Sequence, residues 1–220
     1  MHIPDGYLDL IIALIMYGIA IVFWAITAYK ARDGISEEQV PLLGILTAGV
    51  FVAQMLNFPI AAGTSGHLLG ATLLAIVLGP WATLICMTVI FVVQALIFGD
   101  GGITALGANF FNMGIIGAFV GYYIYKIIKK FIPDIKGKMI GAFVGGWASV
   151  VLGAIACGIE IGVSQIFPYG IELTVPAMVS WHILIGIGEG LITAVVIGYI
   201  AKVRPDLLKL PKMGMKEEEE

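Results

Sequence analysis

The sequence is poor in charge, since only 12% of its 220 residues are Asp, Glu, Lys or Arg, whereas soluble domains typically carry about 25%. No charged residue occurs between Glu38 and Asp100 or between Asp100 and Lys126. The polar surface of a globular fold cannot cover apolar runs of this length, so lipid must be the solvent for most of the chain. The mean hydropathy of +1.01 agrees with this conclusion. We therefore expect a membrane protein that binds no nucleic acid.

Several enzyme motifs are also absent. No GxxxxGK[ST] phosphate loop occurs, so the chain is not expected to hydrolyse ATP by itself. Neither His2, His67 nor His182 begins an HExxH motif, which argues against an intramembrane zinc peptidase. The two cysteines, Cys86 and Cys157, stand alone in apolar stretches and are predicted to be buried small residues. The N-terminus lacks the basic region of a signal peptide. These absences indicate that the chain is not an enzyme.

What the sequence does contain is a series of apolar segments suited to crossing the hydrocarbon core, which takes about 20 residues of helix. The predicted spans lie near residues 8–28, 40–57, 67–78, 81–98, 103–125, 139–162 and 175–203. The third is short, and the helix-breaking pair Gly79-Pro80 joins it to the fourth, so a kinked re-entrant pair is the alternative there. The predicted fold is an all-α integral membrane protein with about seven transmembrane helices. Residues 1–210 form a single transmembrane domain, and residues 211–220 form an acidic cytoplasmic tail.

The positive charges indicate the orientation. They form three clusters, which follow the first span, separate the fifth from the sixth and follow the seventh. With seven crossings all three clusters fall on one side, and the positive-inside rule makes that side the cytoplasm. The N-terminus is therefore predicted outside and the C-terminus inside, whereas six crossings would put the last cluster outside. The opposite face carries only acids and histidines, namely His2, Asp5, Asp9, His67, Asp100, Glu160 and Glu172.

The first two residues can chelate a metal ion. The Met1 amine, the backbone amide nitrogen of His2 and its imidazole Nδ1 form a nearly planar set of three nitrogens, which favours Ni(II) or Cu(II). The pattern alone is weak, because many proteins begin Met-His and bind no metal. His67 follows a loop that contains glycine and proline, and its imidazole is a natural fourth ligand. The alternative for a lone histidine is a hydrogen-bonded residue at a helix interface.

A second candidate pattern lies in the last span. His182 and Glu189 are seven residues apart and therefore share one helix face. A carboxylate within a membrane span is a functional candidate by default, and the alternative is a structural hydrogen bond to a neighbouring helix. Small residues at four-residue spacing, such as Gly117/Gly121 and Gly141/Gly145, predict close helix packing.

Four motifs resemble the CbiM/NikM family, the substrate-binding membrane subunits of energy-coupling factor (ECF) transporters for cobalt and nickel. They are MHIPDGYL at residues 1–8, GTSGHLLG at 63–70, FGDGGITALGAN at 98–109 and HILIGIGEGLIT at 182–193. The resemblance covers nearly the whole chain, in order. The family often has Phe where Tyr7 stands here, which has no consequence for metal ligation. The family is described as a six-helix core with one additional N-terminal helix, in agreement with the span count.

The resemblance implies a square-planar site made by the Met1 amine, the His2 amide and imidazole, and the His67 imidazole. Residues 1–7 would fold inward between the helices to deliver these ligands. Four further residues are candidates for supporting the ligands or for coupling the site to transport. They are Asp5, Ser65, His182 and Glu189.

The implied function is the substrate-specific component of an ECF-type ABC transporter in a prokaryotic plasma membrane, with a link to cobalamin biosynthesis. Ni(II) or Co(II) would be its substrate, and no catalytic cofactor is expected. Ni(II) is favoured because it displaces an amide proton more readily and suits planar geometry. The implied partners are two ATPase subunits, a transmembrane coupling subunit, an accessory small membrane subunit and the bilayer. The alternative is a self-sufficient metal-ion channel or secondary transporter, for which Glu189 is the only support.

The proposed ligands make metal binding sensitive to extension of the N-terminus. A tag attached before Met1 converts the amine into an amide and adds bulk where the segment must enter between helices. We expect such a tag to abolish nickel or cobalt binding while the protein stays folded in the membrane. A C-terminal tag should leave binding unchanged. Bound metal per chain, measured on both proteins in detergent, tests this expectation, and full binding by the N-terminally tagged protein would refute the Met1-His2 site.

Overall fold

The computed structural model describes residues 1–32, 35, 37, 39–59 and 65–215, with the backbone alone at 59 and 65. Residues 60–64 of the predicted loop and 216–220 of the predicted tail lie outside the described residues. Nearly all the regular structure in these ranges is helical. The longer elements are α1 (Leu10–Ala31), α2 (Gln39–Met55), α3 (Ala71–Leu78), α4 (Pro80–Val93), α5 (Leu106–Asn109), α6 (Ile116–Phe131), α7 (Ile135–Val163) and α8 (Ile171–Val203).

Several short elements lie at the ends of the helices or between them. Two π-helical segments occur, Gln94–Phe98 at the end of α4 and Phe110–Ile115 between α5 and α6. A 3-10 turn, Pro205–Leu208, follows α8, and an antiparallel pair of two-residue strands, β1 (Phe58–Pro59) and β2 (Ser65–Gly66), follows α2. Because π-helical segments are rare and often occur at functional sites, we note that the first begins at Gln94, whose side chain contacts His2 of the N-terminal segment.

In the described part of the chain, five helices are long and apolar enough to cross a membrane. They are Leu10–Ala31, Pro80–Phe98, Leu106–Phe131, Ile135–Val163 and Ile171–Val203. Helix α2 is also apolar but has 17 residues. The prediction of an all-helical, multi-pass membrane protein is confirmed. The third predicted span differs from its prediction, because residues 67–70 are not helical and α3 has only 8 residues.

Polar caps determine where two of the long helices begin. The Asp9 carboxylate accepts a hydrogen bond from Ile12 N at the start of α1, at 3.0 Å. Asp134 does the same for Gly137 N at the start of α7, at 2.9 Å. An N-cap of this kind satisfies one of the backbone N–H groups that a helix leaves without an internal partner. Between α3 and α4 the chain breaks at Gly79, and Pro80 takes the first helical position, where it needs no N–H donor.

Glycines let the helices approach closely, as their spacing predicted. A β-carbon added to Gly145 of α7 would lie 2.5 Å from the carbonyl oxygen of Gly121 in α6. One added to Gly117 would lie 2.7 Å from Ala71 Cβ in α3. These distances leave no room for a side chain. Glycine therefore lets the backbones of α6 and α7 touch and lets α6 pack directly against Ala71 of α3. Gly44 in α2 has open space around it instead.

Contacts between distant segments define two ends of the helix bundle. At one end the backbone N of Asp9 donates to the Ser164 hydroxyl at 2.9 Å, which links the start of α1 to the end of α7. At the other end Lys30 donates to the carbonyl oxygen of Gly214 at 2.8 Å, and Met213 is only 4% exposed. The N-terminal segment therefore lies at one end of the bundle, and the segment after α8 lies at the other.

Candidate metal centre

The first residues of the chain fold back into the bundle. Ile3 is 1% exposed and pairs with Asn109 of α5 through two hydrogen bonds. Its N donates to Asn109 Oδ1 at 2.7 Å, and its carbonyl oxygen accepts from Asn109 Nδ2 at 3.0 Å. The same carbonyl also accepts from Gly102 N at 2.8 Å. The reciprocal pairing fixes the Asn109 amide, because each of its two ends has one compatible backbone partner. The backbone beside His2 is therefore firmly positioned.

Asp5 anchors this segment on its outer side. Its carboxylate accepts hydrogen bonds from Ile103 N at 3.1 Å and Thr104 N at 2.7 Å, and from the Thr104 hydroxyl at 2.5 Å. The Thr104 side-chain bond is the main reason that the pKa of Asp5 is lowered. Hydrogen bonds to the ionised form favour it. Asp5 therefore supports the position of the segment and takes no place among the metal ligand candidates.

The candidate ligands Met1, His2 and His67 meet inside the bundle. The Met1 amine nitrogen lies 3.4 Å from His67 Nε2. The His2 and His67 rings stack with their centroids 4.7 Å apart and an angle of 18° between their planes. The edge of Phe91 faces the His2 ring at 5.8 Å. Met1 and His67 are 6% and 7% exposed. The structure thus brings the first two residues of the chain together with His67, which is far from them in the sequence.

The candidate nitrogen groups lie in an apolar surrounding. Burial lowers the pKa of the Met1 amine. Burial, then the nearby His67 ring and the chain amine, lower the pKa of His2 well below its ordinary value. The cause is that an apolar surrounding disfavours the charged form of a base. Metal ligands must be deprotonated, so burial favours the forms of these groups that can bind a metal ion.

Each imidazole directs one nitrogen into the site. His67 Nδ1 donates to the Leu68 carbonyl oxygen at 2.8 Å, so Nε2 carries the lone pair that faces the Met1 amine. His2 Nε2 donates to Gln94 Oε1 at 3.1 Å, so Nδ1 carries its lone pair. His2 Nδ1 is buried and has no hydrogen-bond partner among the described residues. Metal-bound histidines typically donate their other N–H to an oxygen in this way.

A chain of two buried amides fixes the His2 tautomer. Gln94 Nε2 donates to Gln54 Oε1 at 2.9 Å, and Gln54 Nε2 donates to the Leu69 carbonyl oxygen at 2.7 Å. A carbonyl can only accept, so Leu69 sets the orientation of Gln54, and Gln54 sets that of Gln94. Gln94 then presents an oxygen to His2 and requires the proton on Nε2. Both glutamines are fully buried. We refer to Gln54 and Gln94 together as the amide relay.

The other candidates from the sequence lie around this centre. Both carboxylate oxygens of Glu189 accept backbone N–H groups, from Leu69 at 2.6 Å and Gly70 at 2.8 Å, so Glu189 holds the segment after His67. His182 Nδ1 donates to the Met178 carbonyl oxygen at 2.7 Å. A cavity of about 10 Å³ is lined by Met1, His67, Leu69, Val150, His182 and Ile185. His182 is therefore next to the candidate ligands Met1 and His67. The Ser65 side chain lies outside the described residues.

Sequence reasoning missed the amide relay and the pairing of Asn109 with Ile3. Asn109 stands inside one of the four motifs quoted above, but the sequence does not predict its contacts. The available signal was the presence of single amides, Gln54 and Gln94, within long uncharged spans. Buried polar side chains need hydrogen-bond partners, so an isolated amide in an apolar span indicates a polar site nearby.

The comparisons with known proteins define the class first. The family model described as "Cobalt uptake substrate-specific transmembrane region" matches residues 2–207. The protein is thus a membrane component of a metal-ion transport system, and the chain belongs to the CbiM family. It is a cobalt/nickel transport component of the CbiM/NikM type.

Relatives and a solved structure agree with this assignment. A putative fused nickel transport protein NikMN of Archaeoglobus fulgidus is 48% identical over 209 residues, which cover 95% of this chain and 68% of that protein. A putative cobalt transport protein CbiM of Methanococcus voltae is 34% identical over 211 residues, which cover 95% of each. A crystal structure of a transition metal transporter matches with a TM-score of 0.86 and 39% identity, covering 92% of this chain and 93% of that one.

The amide relay gives a prediction for Gln94. Gln94→Leu removes the acceptor of the His2 Nε2–H, so the imidazole loses its fixed tautomer and part of its donor strength. Loss of such an outer hydrogen bond typically lowers metal affinity by roughly 10–100-fold. We expect that loss, together with a shift of the visible absorption band of bound Ni(II). Gln94→Glu keeps an acceptor for His2 and should recover much of the affinity.

Gln165→Leu is the matched control, because Gln165 is an exposed glutamine at the same end of the bundle. It should leave both affinity and spectrum unchanged. Competition with a chelator measures the affinity. If Gln94→Leu weakened binding without moving the absorption band, the relay would act on folding alone.

Proposed function

We propose that this chain is the substrate-binding subunit of an ECF-type transporter and captures Ni(II) or Co(II) in a square-planar site of four nitrogens. The observation that carries the proposal is the meeting of the Met1 amine with His67 Nε2 at 3.4 Å. Beside them lies His2 Nδ1, which has no hydrogen-bond partner among the described residues. Metal–nitrogen bonds of about 2 Å would place adjacent nitrogens of a square about 2.9 Å apart. A contraction of only about half an ångström would therefore close the amine and His67 around an ion.

The proposed donor set depends on a main-chain nitrogen. The amine and amide nitrogens close a five-membered ring with the metal, and the His2 amide and Nδ1 close a six-membered one. In the described ranges, no group of three or more His, Cys, Asp or Glu side chains is arranged to hold a metal ion. A site at this position therefore draws on backbone and terminal nitrogens. Such a planar nitrogen set suits Ni(II) better than metals that prefer oxygen ligands or tetrahedral geometry.

The proposed assembly includes partners that hydrolyse ATP. The chain has no phosphate loop, so uphill transport would need ATPase subunits and a transmembrane coupling subunit. The alternative of a self-sufficient channel or secondary transporter relied on Glu189. Because both oxygens of that carboxylate accept backbone N–H groups, its contacts favour a structural role and thereby the binding subunit.

Transport measurements separate these two functions. Vesicles that contain this chain with its ATPase and coupling partners should accumulate Ni(II) when ATP is supplied inside the compartment that the ATPases face. Vesicles that contain the chain alone should not. Ni(II) accumulation by the chain alone, driven by an ion gradient, would support the secondary transporter.

The ligand set itself is tested with two histidine variants. His67→Ala removes one corner of the plane and leaves water in its place, so Ni(II) affinity should fall at least about tenfold, or 1.4 kcal/mol. The weak visible band of square-planar Ni(II) should also change. His182→Ala removes a neighbour that is bonded to Met178 and should leave that band in place. If the two variants exchanged these effects, His182 would belong among the ligands and His67 would not.

We also propose seven crossings with the N-terminus outside. Helix α3 alone is about 12 Å long, which is short of the roughly 30 Å of hydrocarbon. The non-helical residues 65–70 add up to about 20 Å, so this broken segment together reaches about one crossing, as discontinuous helices do in transporters. Its first part contacts Met1, whereas a β-carbon at Gly79, its last residue, would lie 2.8 Å from Lys212. These contacts support a complete passage through the bundle.

Cysteine labelling tests the orientation. Gly137 is unsuitable for a cysteine, since a β-carbon there would collide with the Ile132 carbonyl. Lys136→Cys and Glu172→Cys occupy exposed positions at opposite ends of the bundle. In intact cells, a membrane-impermeant maleimide should label position 172 and should label position 136 only after the membrane is opened. The parent protein is the control, because Cys86 and Cys157 are buried. Labelling of position 136 in intact cells would refute the proposed orientation.

A further inference from the structure

An acidic residue lies against the ligand centre without belonging to the four proposed nitrogens. Asp100 follows the π-helical end of α4, between Gly99 and Gly101, whose φ values of +65° and +87° fit glycine and let the chain turn back sharply. Its Oδ1 lies 3.3 Å from Nδ1 of His2. The side chains of His2 and Asp100 are 5% and 23% exposed. Asp100 therefore has one side toward the buried ligands and the other toward solvent.

The contact between Asp100 and His2 brings two electron-rich atoms together. The amide relay keeps the His2 proton on Nε2, where Gln94 accepts it. Nδ1 then presents a lone pair to a carboxylate oxygen, and no hydrogen lies between them in this tautomer. Two such atoms at 3.3 Å repel each other unless a positive charge joins them. The pair thus forms a small region of negative potential at the solvent side of the ligand centre.

Neighbouring acids are engaged in other contacts. Asp5 binds the backbone of residues 103–104, Asp9 caps α1, and Glu160 accepts from Asn112 Nδ2 at 2.6 Å. Glu172 is exposed at the start of α8. Among the described acids at this end of the bundle, Asp100 is the one in contact with a proposed ligand.

We propose that Asp100 is the capture ligand for the hydrated divalent cation, on the assumption that the planar nitrogen site of the proposed function exists. A carboxylate oxygen suits a hydrated first-row ion, whereas the nitrogens suit the dehydrated one. Asp100 replaces one water of the ion at the solvent side. Nδ1 of His2, 3.3 Å away, replaces the next. The amine, the His67 nitrogen and the amide nitrogen then complete the plane. The amide proton leaves to water, and the Asp100 oxygen leaves the ion.

This sequence of ligand exchange makes Asp100 important for the rate of binding more than for the bound state. Charges that meet a ligand before it docks act mainly on association, and such steering is typically worth about 10- to 1,000-fold at low ionic strength. A residue that stayed on the metal would act on dissociation and on the absorption spectrum. The two roles are therefore distinguishable by kinetics.

The experiment mixes Ni(II) with the purified full chain in lipid nanodiscs and follows the planar Ni(II) band by stopped flow. Asp100→Ala should lower the second-order association rate at least about tenfold at low salt. The dissociation rate and the position of the band should stay as in the parent protein. The parent rate should fall as salt is added, and the rate of the variant should depend on salt much less. Asp100→Glu, which keeps the carboxylate, should recover a large part of the rate.

Two further variants complete the design. Glu172→Gln removes one negative charge at the same end of the bundle and should change the association rate less than twofold. Asp100→Ser should repeat the result of Asp100→Ala, so that a folding defect in one variant does not decide the outcome. The Asn substitution is avoided, because its amide could donate to Nδ1 of His2 and block the lone pair.

The outcomes separate this proposal from the proposed function. The band and the stoichiometry of the parent protein report on the planar site, and the ratio of association rates reports on Asp100. Equal association rates in the parent, Asp100→Ala and Asp100→Ser would overturn the capture role while leaving the planar site intact. Faster dissociation with a shifted band would also overturn it, since Asp100 would then be a permanent ligand or would position His2.

Discussion

The proposed site depends on the burial of the Met1 chain amine next to an imidazole. An ionised amine in an apolar interior costs several kcal/mol of desolvation, so burial lowers the pKa of the Met1 amine. A neutral amine can bind a metal ion, whereas an ammonium group is only a hydrogen-bond donor. The apolar bundle thus favours the form of the amine that the proposed site needs.

Burial of this kind requires that the remaining polar atoms find partners, because an unpaired buried polar group is costly. Asn109 accepts a hydrogen bond from the backbone N of Ile3. Glu189 accepts hydrogen bonds from the backbone N of Leu69 and of Gly70. The Gly145–Gly121 approach holds α6 and α7 closely packed. The hydrogen bonds orient the polar groups that the bundle buries. His2 Nδ1 is left without a hydrogen-bond partner among the described residues, and it is the atom at which the proposed ion would bind.

The membrane helices were predictable because hydrophobic length alone marks a helix that must satisfy its own backbone in lipid. The pairing of Met1 and His2 with His67 was predictable only with the family resemblance, since composition and spacing left His67 a lone histidine. The start of α3 was misplaced at 67. The backbone N–H groups of Leu69 and Gly70 bind Glu189, 120 and 119 residues away in sequence, and this contact replaces the first turn of helix. Gln54 and Gln94 likewise lie on different helices, 40 residues apart, so their partnership comes from tertiary packing that no local pattern encodes.

Both imidazoles take their orientation from two adjacent carbonyl groups. The His67 ring donates a hydrogen bond to the Leu68 oxygen. The His2 ring is oriented by the Leu69 oxygen through the two glutamines of the amide relay. The two rings are therefore oriented by neighbouring residues, although His2 and His67 lie far apart in the sequence. A displacement of residues 68 and 69 would therefore carry both rings with it, and the spacing between their nitrogens would change less than the position of either ring. The proposed site would keep its geometry under such a displacement.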